Sequence, residues 1–431
     1  MTAPVETPTP RAAQQDPPAA WRRYAAALAA LVVAALVGLA GLQLVVDPLG
    51  VHGTGLDRFD PWRSLHFRGA KGEALARGGF DGLILGTSRS MAGFDPAHPA
   101  WGDRRVYDAS LDGTNLWELE HQWQVAAAHN DLDLVLVEVS LLEFGAARTG
   151  SADFADSRLP TGAVRVDTRL SWVFGSRVLA LAVDVVRRSA SGTLPRKTVR
   201  ADGHRDYRES PQSNEALFEG LLVRNFFVNP GTYNGFTFSE DRVAALERIV
   251  TSARAGGATV VLAIPPVHAV QFEVLERMGL GADLVRLRRE LVDLVTGLGA
   301  DGPPVQVWDF MGWTGDLAEP IAGEGEPPMT YFYESSHFTA ALGGRVLDRV
   351  LDPSRCDAAC ATFGVDLTAV DLDAHAARLA RERAAWIDAH PDVVDWLDEL
   401  EAQTADDRER RLREARAVVP AAGGAPGAPA P

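Results

Sequence analysis

Residues Tyr24 to Val46 read YAAALAALVVAALVGLAGLQLVV, twenty-three positions without a charge, interrupted only by Gln43. Wound as a helix, that run is roughly 35 Å long, enough to cross a bilayer core with some tilt. A cleaved signal peptide has an apolar region of only about 7–15 residues. Asp47-Pro48 ends the run as a membrane exit would, not as a small-residue cleavage site. Arg22 and Arg23 stand just before it, so the amino terminus is expected in the cytoplasm and everything after Asp47 outside. The other reading, a buried core helix, lacks the amphipathic stripe such a helix carries.

The 431 residues carry a net charge of −16, and no basic stripe interrupts the acidity, which argues against a nucleic-acid partner. Apolar residues make up 46% of the chain, so the region beyond the anchor has material for a sizeable core. The expected organisation is a cytoplasmic tail over 1–21, a transmembrane helix over 22–46 and an extracytoplasmic domain over 47–355. A helical appendage comes next over 356–416, then a disordered, Pro- and Ala-rich tail over 417–431. The two cysteines, Cys356 and Cys360, can close a small disulfide loop in an oxidising compartment; two reduced thiols are the alternative. They are too few for a metal site, since no second Cys or His pair has zinc spacing.

Five apolar runs read as strands: Gly82–Leu85, Arg105–Tyr107, Leu132–Val139, Thr259–Ile264 and Val305–Trp308. Several are unbroken Val/Ile/Leu stretches, the signature of parallel strands covered on both faces. Helical patterns alternate with them, among them LWELEHQWQVAAAH and SEDRVAALERIVTSARAGG, the latter with Ser239 as N-cap and Gly256 as stop. The pattern predicts an α/β domain with a mostly parallel, five-stranded sheet. A polar, arginine-rich stretch from about 150 to 235 reads as an insertion between the third and fourth strands. The charged segment from Asp371 to Ala415 reads as an exposed helical appendage.

In open α/β sheets, ligands bind just beyond the carboxyl ends of the strands. After the first run come Gly86-Thr87-Ser88-Arg89-Ser90, after the second Gly113 and Asn115, after the fourth His268, and beyond the fifth Glu334 and His337. A serine becomes a nucleophile when a base takes its proton and a carboxylate orients the base. Ser88, His337 and Glu334 supply one of each, and the three-residue spacing keeps acid and base about one helical turn apart. The backbone N–H groups of Ser88 and Gly113, with the Asn115 amide as a third donor, are candidates for holding a developing oxyanion. Arg89 is either a contact for substrate or a salt-bridge partner, His268 either a pocket wall or a turn residue. Ser90 reads as a helix N-cap, and Asp309 is the alternative acid. Gly297-Leu298-Gly299-Ala300-Asp301-Gly302 fits G-x-G-x-x-G but comes after a helix and before a strand, the reverse of a dinucleotide fingerprint, so no cofactor is implied.

On these residues the chain resembles the SGNH (GDSL-like) hydrolase superfamily. Gly86-Thr87-Ser88 is similar to its first block, Gly113 to the glycine of its second, and Glu334-Ser335-Ser336-His337 to its closing Asp-x-x-His. Asp47-Pro48-Leu49-Gly50 after the anchor, IPPVHA and Asp309-Phe310 bring it nearer to membrane-anchored members similar to alginate O-acetylation and teichoic-acid D-alanylation proteins. The likeness covers most of 47–355. It implies a flavodoxin-like, three-layer α/β/α fold and a serine esterase or acyltransferase without cofactor or metal. The implied substrate is a surface polysaccharide or acylated polymer, with a polytopic membrane acyltransferase as a possible partner. Two departures stand out: glutamate replaces the family's aspartate at Glu334, and Val139-Ser140-Leu141-Leu142 stands where a Gly-x-Asn-Asp block is expected. The second departure supports a rival reading, a catalytically silent scaffold or glycan-binding protein of the cell envelope.

Overall fold

The computed structural model describes residues 19–418 apart from Asp57, Asp60, Leu194, Arg196, Glu209, Gly231 and Ala300. The tail readings for 1–18 and 419–431 lie outside the described residues. Helix α1 (Ala19–Val46) is exposed along most of its length. It is the one helix among the described residues long and apolar enough to cross a membrane, with a mean hydropathy of 2.5 over its most apolar window. Its end is tied down at once. Asp47 adopts a left-handed φ of 43°, a conformation its short polar side chain tolerates. Its carboxylate accepts hydrogen bonds from the His52 and Gly53 N–H groups at 3.2 and 2.7 Å, and residues 48–51 are buried.

Beyond α2 (Phe67–Arg77) the chain enters the sheet through β1 (Gly82–Leu85), α3 (Ser88–Gly93), β2 (Val106–Asp108), α4 (Leu116–His129) and β3 (Leu134–Glu138). Next come α5 (Val166–Phe174), α6 (Ser176–Ser191), the antiparallel hairpin β4 (Lys197–Val199) and β5 (Arg205–Tyr207), and α7 (Asn214–Leu221), continued by a π-helical turn over Leu222–Val228. The parallel sheet resumes with α8 (Glu240–Ala255), β6 (Thr259–Ile264), α9 (Ala269–Arg277), α10 (Gly281–Gly297) and β7 (Val305–Asp309). The chain then runs through α11 (Ala340–Leu351), α12 (Ala358–Ala361), β8 (Val365–Asp366), α13 (Leu372–Ala389) and α14 (Pro391–Val418).

The main sheet runs β2-β1-β3-β6-β7-β8, parallel except for β8. Gly82 pairs with both Val106 and Leu134, and Leu134 with Thr259, so the strands start level and their carboxyl ends form one edge. Every residue of β1 and β3 is buried, as unbroken apolar runs require when helices cover both faces. Four of the five expected runs differ little or not at all from the strands; the second is shifted by one residue to Val106–Asp108. The expectation of five strands is corrected to six by β8, two residues that pair antiparallel with Trp308 and Asp309. Helix α4 packs on α2 and α8, while α3 packs on α11. A Cβ at Gly343 of α11 would lie 1.8 Å from the Gly93 carbonyl oxygen, so only glycine allows α11 to approach α3 this closely.

The 150–235 insertion lies between the third and fourth expected strands, as its composition suggests, and the segment after Asp371 departs in part from expectation. The 150–235 stretch is largely built of helices and a hairpin, and it places Tyr207 beside His337 and Tyr233 beside Arg89. The segment after Asp371 is helical, as expected, but it is not exposed throughout. Trp386, Leu397 and Leu400 are buried in the main core, and Arg383 bonds Glu273 at 2.8 and 3.0 Å. Its outward faces are charged, which hides in sequence an apolar stripe only one or two residues wide per turn. Between α11 and β8, Cys356 and Cys360 are joined as a disulfide around α12.

Candidate active site

The sheet order reverses direction between β1 and β3, the switch point at which open α/β sheets bind ligands. Ser88 stands there as the first residue of α3, three residues past the end of β1. The turn is sharp because of Gly86: a Cβ there would meet Ser90 Oγ at 2.4 Å and the Glu138 side chain at 2.6 Å. Thr87, not Ser90, caps the helix, its hydroxyl accepting from the Arg89 N–H at 3.2 Å. Ser90 lies inside α3, fully buried, and this corrects its reading as an N-cap.

The long loop after β7 brings His337 to Ser88, with His337 Nε2 2.8 Å from Ser88 Oγ. Nδ1 of the same ring contacts Glu334 Oε1. The Glu334 carboxylate also accepts the Ser336 and His337 N–H groups, each at 2.9 Å, so the Glu-x-x-His turn closes on itself. Burial works against ionisation of Glu334, but the facing imidazole and these donors prevail and hold its pKa below the usual carboxylate range. An ionised Glu334 assigns the proton to Nδ1 and leaves Nε2 as acceptor for the serine O–H. Ser88 and His337 are both half-buried, open enough to meet a ligand.

Beneath the serine lies a carboxylate that the sequence pattern did not single out. Glu138, the last residue of β3, is fully buried. It accepts from Thr87 N at 2.8 Å, Thr87 Oγ1 at 2.9 Å, Ser90 N at 3.2 Å and Ser90 Oγ at 2.7 Å. Glu138 therefore positions the turn that carries Ser88. Its signal was an acidic residue at the carboxyl end of an otherwise apolar strand. Nearby Glu143 caps the turn at Ser140, accepting its N–H at 2.6 Å. Burial, aided by the charge of Glu138, pushes the Glu143 pKa up to about 8.

The remaining candidates have structural partners. Arg89 is buried and donates to Ser336 Oγ and Ser140 Oγ at 2.7 Å and Tyr233 Oη at 2.8 Å. It ties α3, the turn after β3, the 150–235 stretch and the His337 loop together through hydroxyls, not through a carboxylate, and this corrects its salt-bridge reading. Asn115 caps α4, its Oδ1 accepting from Glu118 N at 3.1 Å and its Nδ2 donating to the Arg148 carbonyl at 3.2 Å. Oδ1 and one of the two Nδ2 N–H donors hold the turn, which makes Asn115 the cap of α4. Gly113, with φ of 60°, accepts from Arg148 through its carbonyl. His268 caps α9: Nδ1 accepts from Val270 N at 3.2 Å and Nε2 meets the Glu319 carbonyl at 2.8 Å. It also lines a cavity of about 530 Å³ whose lining includes neither Ser88 nor His337. Asp309 is enclosed with Arg288 at 2.7 Å and His375 at 2.9 Å, so it is not an alternative acid for His337.

Among the described residues no cluster of three or more His, Cys, Asp or Glu side chains is placed to hold a metal ion. No family model matches the chain, and no curated protein matches its sequence. The site therefore rests on its own geometry: a hydroxyl, an imidazole and an ionised carboxylate in series at a sheet edge, an arrangement able to generate an oxygen nucleophile.

Proposed function

We propose that the chain is a membrane-anchored serine acyl-ester hydrolase or acyltransferase of the SGNH type, acting outside the cytoplasm on a cell-surface glycan or lipid-linked polymer. The observation that carries this reading is the 2.8 Å contact from Ser88 Oγ to His337 Nε2, with Glu334 on the other ring nitrogen. Ser88 Oγ attacks the acyl carbonyl carbon while Nε2 takes its proton. The oxyanion forms against the N–H groups of Ser88, at the first turn of α3, and Gly113. Collapse expels the alcohol, which leaves with the proton from Nε2, and the acyl group remains on Ser88. Water then releases an acid, or an acceptor hydroxyl takes the acyl group, by the same steps in reverse. The strand order β2-β1-β3-β6-β7, that of flavodoxin-like sheets, supports the three-layer part of the resemblance. Arg22 and Arg23 support a cytoplasmic amino terminus.

The second reading, a silent scaffold, draws on Val139-Ser140-Leu141-Leu142, which offers no asparagine where a Gly-x-Asn-Asp block would supply an oxyanion donor. A serine-reactive phosphonate separates the two. An enzyme forms an adduct at Ser88 that Ser88→Ala abolishes; absence of any adduct on folded wild-type chain overturns the catalytic reading.

A further inference from the structure

Helix α1 packs against α5 and α6, and its covered residues lie in its last two turns. Gln43 and Val46 are buried there, Leu39 and Ala40 half-buried, and Val46 shares a small core with Ala182 and Val185 of α6. A bilayer core takes about 20 helical residues. Counted from Tyr24, just past Arg22 and Arg23, that length ends near Gln43. Helices packed on residues 39–46 therefore share the depth at which α1 leaves the hydrocarbon.

Those helices carry an apolar surface that nothing among the described residues covers. On α5, Val166, Leu170 and Phe174 are spaced four apart on one stripe and are 74%, 54% and 42% exposed. On α6, Val183 and Val186 are exposed with half-buried Leu179 on the same side, while Val178, Ala182 and Val185 face inward. An amphipathic helix of a water-soluble domain needs one apolar face; α6 has a second. Leu42, Leu44 and Val45, in the part of α1 that packs on these helices, are exposed as well. Arg169, Arg177 and Arg187 are exposed on the same two helices, with stems long enough to follow apolar surface and place the charge among headgroups.

We propose that α5 and α6 lie in the interfacial layer of the bilayer beside α1, with these two stripes among the acyl chains. The protein then stands on a three-helix foot, and the occupant of the surface is lipid. The proposal rests on α1 crossing a membrane and is tested so that the two can fail separately. In the full-length chain the native cysteines are disulfide-bonded, so single labels go on Val166→Cys, Leu170→Cys, Phe174→Cys, Val183→Cys and Val186→Cys. Leu31→Cys in α1 and exposed Val370→Cys, beyond the far edge of the sheet, serve as references. In vesicles of brominated lipid the foot labels and Leu31 should lose fluorescence roughly twofold or more and Val370 little, as expected for apolar faces sunk to the acyl boundary. Quenching at Leu31 without quenching at the foot overturns the foot and spares the anchor. No quenching at Leu31 overturns the anchor and the foot together. Foot labels shielded from aqueous iodide yet unquenched by brominated lipid mean that a second copy covers the surface, which also overturns the proposal.

Discussion

Two serines two residues apart in α3 have opposite surroundings. Ser88 faces His337, and Ser90 faces Glu138 and Ser110 in the interior. Ser88→Ala should leave stability unchanged and lower turnover of an activated acyl ester by about 10³-fold or more, with His337→Ala and the double variant alike, because triad members act as a unit. Glu334→Gln should cost less, since the base remains and only its orientation is disturbed. Ser90→Ala removes a donor from a buried carboxylate and should cost about 1.5–3 kcal/mol in a denaturant titration while leaving the nucleophile in place. An inactive but stable Ser90→Ala reverses the assignment. Ser88 was legible because a small hydroxyl residue directly after an apolar strand is a local pattern, and Glu334-x-x-His337 is another. Glu138 and Tyr233 were not. Their roles come from partners 51 and 144 residues distant, a pairing that only the folded topology creates.

At the scale of elements, continuous apolar runs specified the parallel strands, because burial on both faces removes polar alternation. The two-residue β8 has no such pattern, being too short to show one. The carboxyl-terminal helices mislead for a related reason: charge dominates their composition while Trp386, Leu397 and Leu400 sit in the core. Trp386→Ala should therefore lower stability by about 3–5 kcal/mol, as for other buried aromatics, where a detached appendage would show no change. Reduction of Cys356–Cys360 should be milder, about 1–3 kcal/mol, since so short a loop removes little freedom from the unfolded chain. Melting with and without reductant checks it.

For the whole molecule, His268 imposes a pH limit. Burial lowers its pKa from 6.5 to about 4, opposed by its bond to the Glu319 carbonyl. The folded chain keeps the ring neutral, whereas the unfolded chain takes up a proton below its ordinary pKa. This contribution is complete above pH 6.5 and falls away as pH drops toward 4, amounting to about 3 kcal/mol over the window. His268→Gln should flatten that part of the stability profile at some cost at neutral pH; an unchanged slope would show that the ring titrates normally.

The knot at Asp47 leaves no slack linker between the helix and the domain. Its carboxylate closes on His52 and Gly53 within two turns' length of the anchor's end, and the intervening residues are packed away. A domain on a slack tether samples every tilt and searches a hemisphere. One clamped at its root keeps a single attitude, spinning about the membrane normal and drifting sideways. On the proposed anchoring and activity, Ser88 is carried at constant altitude, like a cutter on a fixed arm, and only esters that pass through that thin slab are within its range.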